Sequence, residues 1–168
     1  MKKVLIRRLG LGEFEVFKRV RLAALYDAPE AFGTRYADAL CRSATSWQEQ
    51  ADASAQGVQR ATFMAYVDGQ AVGMAALYRQ PADPSTAEML QVWVAPDYRS
   101  QGVADDLIAA LLNWGHQQGV KTVLAAIKTD NARALRFYKR LGFSLNTLAY
   151  QPGEDLLSKD LDDCEPGA

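Results

Sequence analysis

The fold is decided by the stretch Glu88-Met89-Leu90-Gln91-Val92-Trp93-Val94-Ala95-Pro96-Asp97-Tyr98-Arg99-Ser100-Gln101-Gly102-Val103-Ala104. Its first half predicts a β-strand over residues 88–94, and Gly102 opens a predicted helix. Amide groups in the first turn of a helix have no partner within the helix, and the macrodipole adds positive potential there. The small residues Gly102 and Ala104 leave these amides accessible, and Arg99 can add a charge-assisted hydrogen bond. The turn therefore predicts an anion site suited to a pyrophosphate.

The Arg-x-x-Gly-x-Ala pattern alone leaves an ordinary structural alternative open. A well-capped helix with a glycine in its first turn has the same residues and binds nothing. The context favours the anion site, because a strand precedes the turn, a helix follows it, and a second motif lies downstream at residues 128–143.

The elements on either side of this turn predict an α/β fold. Asp68-Gly69 marks a hairpin between two early strands, whereas the later strands are joined by helices. This order predicts a mixed, mostly antiparallel central sheet of six or seven strands with helices on both faces. Strands are predicted at residues 4–8, 62–67, 72–78, 88–94, 122–127 and 143–150, with a further short one at 156–157. Helices are predicted at 14–25, around Trp47, at 102–118 and at 131–141, and a loop is predicted around Pro81 and Pro84.

Composition limits the classes of protein and partner. The chain has 168 residues, 49% of them apolar, and a net charge of −1. We therefore expect one globular domain over residues 1–161 with an unanchored tail at 162–168, and neither nucleic acid nor membrane as a partner. Two cysteines, Cys41 and Cys164, and the single histidine His116 argue against a disulfide framework and a metal site. No signal peptide or membrane span is evident, so we expect a cytoplasmic protein, with a homodimer left open.

The second motif reads Lys128-Thr129-Asp130-Asn131-Ala132-Arg133-Ala134-Leu135-Arg136-Phe137-Tyr138-Lys139-Arg140-Leu141-Gly142-Phe143. It is similar to the pattern N-x-x-A…F-Y-x-x-x-G-F of the GNAT superfamily of N-acetyltransferases. The resemblance extends over residues 4–150. The stretch Ala28-Pro29-Glu30-Ala31-Phe32-Gly33 is similar to a common amino-terminal region of bacterial GNAT proteins. It implies the acyl-CoA N-acyltransferase fold, acetyl-CoA as co-substrate and an amine as acceptor. One departure is Ala104, where the family often has glycine.

The resemblance also implies roles for individual residues. The pyrophosphate would be wrapped by Arg99, Ser100, Gln101, Gly102, Val103 and Ala104. The pantetheine arm would be held, and the acetyl carbonyl polarised, by the main-chain groups of Val92, Trp93 and Val94. Asn131 would bind the coenzyme, and Tyr138 would protonate the departing thiolate. The structural alternatives are buried strand side chains, a helix N-cap at Asn131 and a half-buried aromatic at Tyr138.

The general base predicted from the resemblance is Glu88. An alkyl ammonium has a pKa of about 10.4, so a group that removes its proton is needed near neutral pH. Glu88 matches a catalytic glutamate of the histone acetyltransferase branch, whereas the ribosomal-protein acetylating branch has its glutamate at the position of Ala126. The alternative is a solvated carboxylate at the start of a strand. Because Cys41 and Cys164 lie outside both motifs, direct transfer in a ternary complex is favoured over a cysteine acyl-enzyme.

Three other functions are alternatives to the acetyltransferase interpretation. A GNAT-fold protein can bind acetyl-CoA in a regulatory, non-catalytic role. A nucleotide- or flavin-binding domain would need parallel βαβ units from the start, which the hairpin at Asp68-Gly69 contradicts. A ligand-free interaction module leaves the paired motifs unexplained. The acceptor is left open among polyamines, amino acids, drugs and protein N-termini.

Overall fold

The computed structural model describes residues 3–146 and 152–161. Its strands are β1 (Val4–Arg8), β2 (Arg60–Val67), β3 (Gln70–Gln80), β4 (Asp83–Val94), β5 (Thr122–Lys128), β6 (Ser144–Leu145) and β7 (Glu154–Asp160). The helices are α1 (Phe14–Asp27), α2 (Tyr36–Leu40), α3 (Ala44–Ala55), α4 (Val103–Gln117) and α5 (Ala132–Arg140). Single 3₁₀ turns lie at Pro29–Ala31 and Pro96–Tyr98. The predicted order of strands and helices is confirmed.

The seven strands form one sheet in the order β1-β2-β3-β4-β5-β7-β6. Only β4 and β5 pair in parallel, and the other neighbours are antiparallel. The hairpin at Asp68-Gly69 joins β2 to β3, with φ of 51° and 78° at its two central residues. Positive φ at both positions is the geometry that such a two-residue hairpin requires. The predicted mixed, mostly antiparallel sheet is thus confirmed.

Helices cover both faces of the sheet, as predicted. On one face α4 buries its apolar stripe of Val103, Leu107, Leu111 and Trp114. On the other face α1 and α3 pack around Phe17 and Trp47, whose rings meet edge to face at 5.8 Å. Burial of each of these large side chains stabilises the fold by roughly 1.5–3 kcal/mol. Within the described residues, no helix is both long and apolar enough to cross a bilayer.

Two sequence-based assignments are wrong in extent. The predicted loop around Pro84 is the start of β4, which begins at Asp83; proline is tolerated there because it lies among the first residues of a strand. The short strand predicted at 156–157 is the seven-residue β7, which pairs with β5 from Thr122 to Lys128. Of the strand predicted at 143–150, β6 occupies Ser144–Leu145, and residues 147–150 lie outside the described residues.

The parallel pair β4–β5 separates within the sheet. Its register runs only from Thr86↔Thr122 to Glu88↔Leu124. Beyond Glu88, β4 continues to Val94 while β5 continues along β7. The two strands therefore leave a gap at their carboxyl ends, which is where ligands bind in α/β sheets.

Candidate active site

A cavity of about 750 Å³ occupies the gap between β4 and β5. Its walls come from β4, β5, the start of α4, α5 and the segment after α1. Most of the residues predicted for the site line this cavity: Glu88, Val92, Trp93, Val94, Arg99, Ser100, Gly102, Val103, Ala104, Asn131 and Tyr138. Gln101 is the exception, because it is absent from the cavity wall and its side-chain amide donates to the Asp97 carbonyl at 3.0 Å.

A β-bulge shapes the β4 edge of the cavity. Leu90 pairs with Ala76 and Trp93 with Met74, so Gln91 and Val92 together face Ala75 on β3. Gln91 takes a φ of 58° there. A bulge of this kind kinks the strand and redirects its polar groups. Because pairing with β5 has already ended at Glu88, main-chain groups on that side of β4 are directed towards the cavity.

The first turn of α4 forms the opposite end of the cavity. Gly102 is the N-cap, with a φ of 84°, and no side chain caps the helix. In this turn the Asp106 amide donates a hydrogen bond to the Gly102 carbonyl at 3.0 Å. The preceding amides have no partner within the helix, which is the arrangement that an anion site requires. Glycine suits the cap because side chains rarely adopt this φ.

Asn131 and Tyr138 lie at the two ends of α5. Asn131 is its N-cap, and its Oδ1 accepts a hydrogen bond from the Ala134 amide at 3.0 Å. The N-cap alternative for Asn131 is therefore correct, and its side-chain amide group is left for a ligand. Tyr138 packs edge to face on Phe137 and Phe143, and burial raises its pKa to about 12. The phenol is thus protonated near neutral pH, as a hydrogen-bond donor must be.

Comparisons with known proteins agree with this architecture. The model of the acetyltransferase (GNAT) family matches residues 22–143. The chain belongs to the GNAT acetyltransferase family. It is 31% identical over 111 residues to a [ribosomal protein bS18]-alanine N-acetyltransferase from Escherichia coli K12, a match that covers 65% of this chain and 73% of that protein. The resemblance found in the sequence is thereby confirmed.

Other proteins that are similar to this GNAT protein carry different names. It is 33% identical over 89 residues to an aminoglycoside N(6′)-acetyltransferase type 1 from Salmonella typhimurium, which covers 49% of this chain and 61% of that protein. The fold matches a GNAT acetyltransferase from Streptococcus pneumoniae with a TM-score of 0.78, 15% identity and coverage of 94% and 99% of the two chains. It also matches PaiA N-acetyltransferase from Thermoplasma acidophilum, solved in complex with coenzyme A, with a TM-score of 0.73, 16% identity and the same coverage.

Arg99 of this GNAT domain is engaged within the protein. Its guanidinium donates to the Asp27 carboxylate at the end of α1 and to the Val94 carbonyl, the latter at 2.9 Å. Asp27 also accepts from the Trp93 indole at 3.0 Å, and these hydrogen bonds lower the pKa of Asp27. Arg99 thus ties α1 to the end of β4, a contact that the sequence did not predict.

Two cations near the start of α4 were missed by the sequence analysis. Arg140 of α5 lines the cavity and bonds the Asp105 carboxylate at 3.0 Å. Arg133, in the first turn of α5, also lines the cavity. Both are part of the 128–143 motif, but its pattern does not single them out. The pair of Arg140 with Asp105 places one of these cations against the first turn of α4.

Glu88 lies where β4 and β5 begin to separate. Glu88 lines the cavity, and the pKa of its carboxyl group is raised by partial desolvation and by the negative charge of Glu154. A raised pKa moves a carboxylate towards the range in which it can take and return protons. Ala126 lines the same cavity, and its methyl group offers no second acid or base.

Arg21 is a cavity residue that lies within the helix predicted at residues 14–25 and that was not predicted to belong to the site. Its side chain is buried, and its guanidinium stacks over the Phe32 ring at 4.9 Å. The available signal was a charged residue between Val20 and Ala24 on the buried face of an amphipathic helix. A cation at a core position requires an explanation beyond packing.

Proposed function

We propose that this GNAT protein transfers the acetyl group of acetyl-CoA to a primary amine by direct attack in a ternary complex. The observation that carries the proposal is the meeting of three features in one cavity: the open edge of β4, the uncapped start of α4, and Tyr138. An acyl-coenzyme has an anionic pyrophosphate, an amide-bearing arm and a reactive thioester. Each of these parts finds a matching group in the cavity.

The start of α4 would hold the pyrophosphate. Its amides from Gly102 to Ala104 lack a side-chain cap, and Gly102 carries no side chain that would occupy the turn. Arg140 offsets the nearby negative charge of Asp105, which would otherwise repel a phosphate. Helix amides, the helix dipole and a neighbouring guanidinium together suit a dianionic group.

The bulged edge of β4 would hold the arm and the acetyl carbonyl. Val92 and its neighbours present main-chain groups on the side from which β5 has diverged. An extended amide-bearing arm can hydrogen-bond such an edge in the way a strand would. A main-chain N–H directed at the carbonyl oxygen would stabilise the negative charge that develops there during attack.

Glu88 would accept the proton of the acceptor amine, directly or through water. It lies in the same cavity as Val92, and its raised pKa suits a base that releases its proton again. The carboxylate also attracts an ammonium group electrostatically before deprotonation. Both effects favour an amine over a neutral alcohol as acceptor.

Tyr138 would donate a hydrogen bond to the leaving sulfur. Its pKa of about 12 keeps the donor proton in place. A thiol has an ordinary pKa of about 8.5, so full proton transfer from this phenol to the thiolate is uphill. We therefore assign Tyr138 the stabilisation of developing charge on sulfur, with the net proton supplied by the acceptor ammonium.

Direct attack is supported over an acyl-enzyme route. Cys41 is exposed and does not line the cavity, and Cys164 lies outside the described residues. No thiol in the described part of the chain therefore reaches the proposed acetyl site.

The proposal is tested by incubating the purified protein with acetyl-CoA and a panel of polyamines, amino acids, aminoglycosides and peptide N-termini. Release of free thiol and the mass of the acetylated amine are measured together. We expect at least one class to give equimolar thiol and acetyl-amine. Acetyl-CoA binding without turnover across every class would contradict the proposal and favour the regulatory alternative.

A further inference from the structure

Arg21 is a buried cation that has no counter-ion among the described residues. It lies on the buried face of α1 between Val20 and Ala24 and is 6% exposed. Its Nη1 is inaccessible and has no hydrogen-bond partner. No carboxylate in the described chain forms an ion pair with it.

The surroundings of Arg21 do not compensate for its burial. Stacking on Phe32 stabilises a cation, but by less than the burial of an unpaired ion destabilises it. Arg42 adds a like charge, and burial with this repulsion lowers the pKa of Arg21 to about 10. The guanidinium therefore stays charged near neutral pH, because arginine keeps its proton well above that range.

Arg21 opens onto the same cavity as Glu88. It lines that cavity with Phe32, Gly33 and Thr34 of the segment after α1, on a different wall from the α4 amides. Tyr78 lies opposite Glu88 in the β3–β4 pairing, and it lies close enough to Arg21 to raise the pKa of that guanidinium. One end of the cavity thus presents a carboxylate and, on the same face of the sheet, an unpaired guanidinium.

We propose that Arg21 is an anion subsite for the acceptor, and that the acceptor is a small amine carrying a carboxylate or phosphate group. This rests on the proposed acetyl transfer. The ammonium of such a molecule would be drawn to Glu88 while its anionic group forms a charge-assisted hydrogen bond with Arg21. Polycationic amines would meet repulsion from Arg21 and would be poor acceptors.

The test compares matched amines that differ only in the anionic group. Glycine, β-alanine and phenylalanine are assayed against their primary amides, and O-phosphoethanolamine against ethanolamine, with kcat/KM corrected for the fraction of free amine. We expect the wild type to prefer the anionic member of at least one pair by about 10- to 150-fold, the value of a charged hydrogen bond. The phosphate pair and the carboxylate pairs tell the two anions apart.

Arg21→Met tests whether Arg21 carries that preference. Methionine fills similar space without charge, so the fold and the acetyl-CoA affinity should persist. We expect the ratio of kcat/KM between the anionic and the neutral member of each pair to fall to about one, whatever the absolute rates, and Arg21→Lys to restore part of the preference. Arg19→Met, the same change on the exposed face of α1, is the matched control and should keep the preference. A preference that survives in Arg21→Met, or that is absent from every wild-type pair, would overturn the proposal.

A separate readout distinguishes this proposal from the proposed function. If no amine of any kind is acetylated, acetyl transfer itself is what has failed. Thermal unfolding with the same anionic amines then tests Arg21 alone: they should raise Tm of the wild type and leave that of Arg21→Met unchanged. Equal shifts in both proteins would contradict the anion subsite.

Discussion

Asp27, the last residue of α1, accepts a hydrogen bond from the guanidinium of Arg99, five residues beyond the end of β4. The same carboxylate oxygen accepts from the Trp93 indole at 3.0 Å. This contact fixes the helix that carries Arg21 against the strand that carries the proposed acetyl site. It also gives Nε and Nη2 of Arg99 partners within the protein, while Arg99 still lines the cavity.

The Asp27–Arg99 pair predicts coupled effects on stability. We expect Asp27→Ala and Arg99→Ala each to lower the free energy of unfolding by about 1–2 kcal/mol, since the pair is partly buried and charge-assisted. The double variant should cost less than the sum, with a coupling of about 1 kcal/mol. Urea unfolding of the four proteins measures this. Strictly additive losses would show that the contact contributes nothing.

The α4 cradle predicts a loss of coenzyme affinity when Gly102 changes. In Gly102→Glu a carboxylate would face the phosphates, so acetyl-CoA affinity should fall by at least about 100-fold, comparable to the loss of one or two charge-assisted hydrogen bonds. Gly102→Asn is the matched control, because asparagine tolerates the left-handed φ of 84° without adding charge. Calorimetry on both folded variants measures their affinity for acetyl-CoA. Equal affinity in Gly102→Glu and wild type would remove α4 from the site.

Replacement of Glu88 is predicted to lower activity in a way that depends on pH. The pKa of Glu88 is raised by desolvation and by Glu154, so the carboxylate works as a base above that pKa. Glu88→Gln should lower kcat/KM by roughly 10²-fold near neutral pH, and rising pH should partly restore it as the free amine becomes abundant. Rate profiles between pH 6 and 10 measure the effect. A profile parallel to that of the wild type at full rate would exclude Glu88 from the mechanism.

The lowered pKa of Glu13 predicts that the free energy of unfolding decreases at acid pH. Hydrogen bonds from Arg7 lower the pKa of Glu13 to about 2 from an ordinary value of 4.5. A lowered folded-state pKa stabilises the protein above pH 4.5, and this contribution is lost as pH falls through about 2. After allowance for solvent screening, Glu13→Gln should remove about 1–2 kcal/mol at pH 7 and little at pH 2. Glu49→Gln, an exposed carboxylate change, is the control. Equal losses at both pH values would contradict the linkage.

The sheet and most of its helices were predictable because they depend on local patterns. Asp68-Gly69 specifies a hairpin by its φ requirement, and the stripe of α4 has the helical period. The bulge at Gln91 was not predictable, since it depends on how β3 and β4 align across the sheet. The role of Arg21 was hidden because its position fits the helical stripe, and only the structure shows that it lacks a partner. The domain limits of 1–161, the cytoplasmic location and the homodimer stay predictions.

The central claim is that acetyl transfer takes place in the cavity between β4 and β5, beside Tyr138. Its most direct test is kcat for CoA release by Tyr138→Phe, together with calorimetric affinity for acetyl-CoA. Removing one hydroxyl leaves the packing on Phe143 in place, so affinity and fold should be unchanged while kcat falls by about 10²-fold. A Tyr138→Phe protein that turns over at the wild-type rate, with the chemical step shown to limit that rate, would contradict the account.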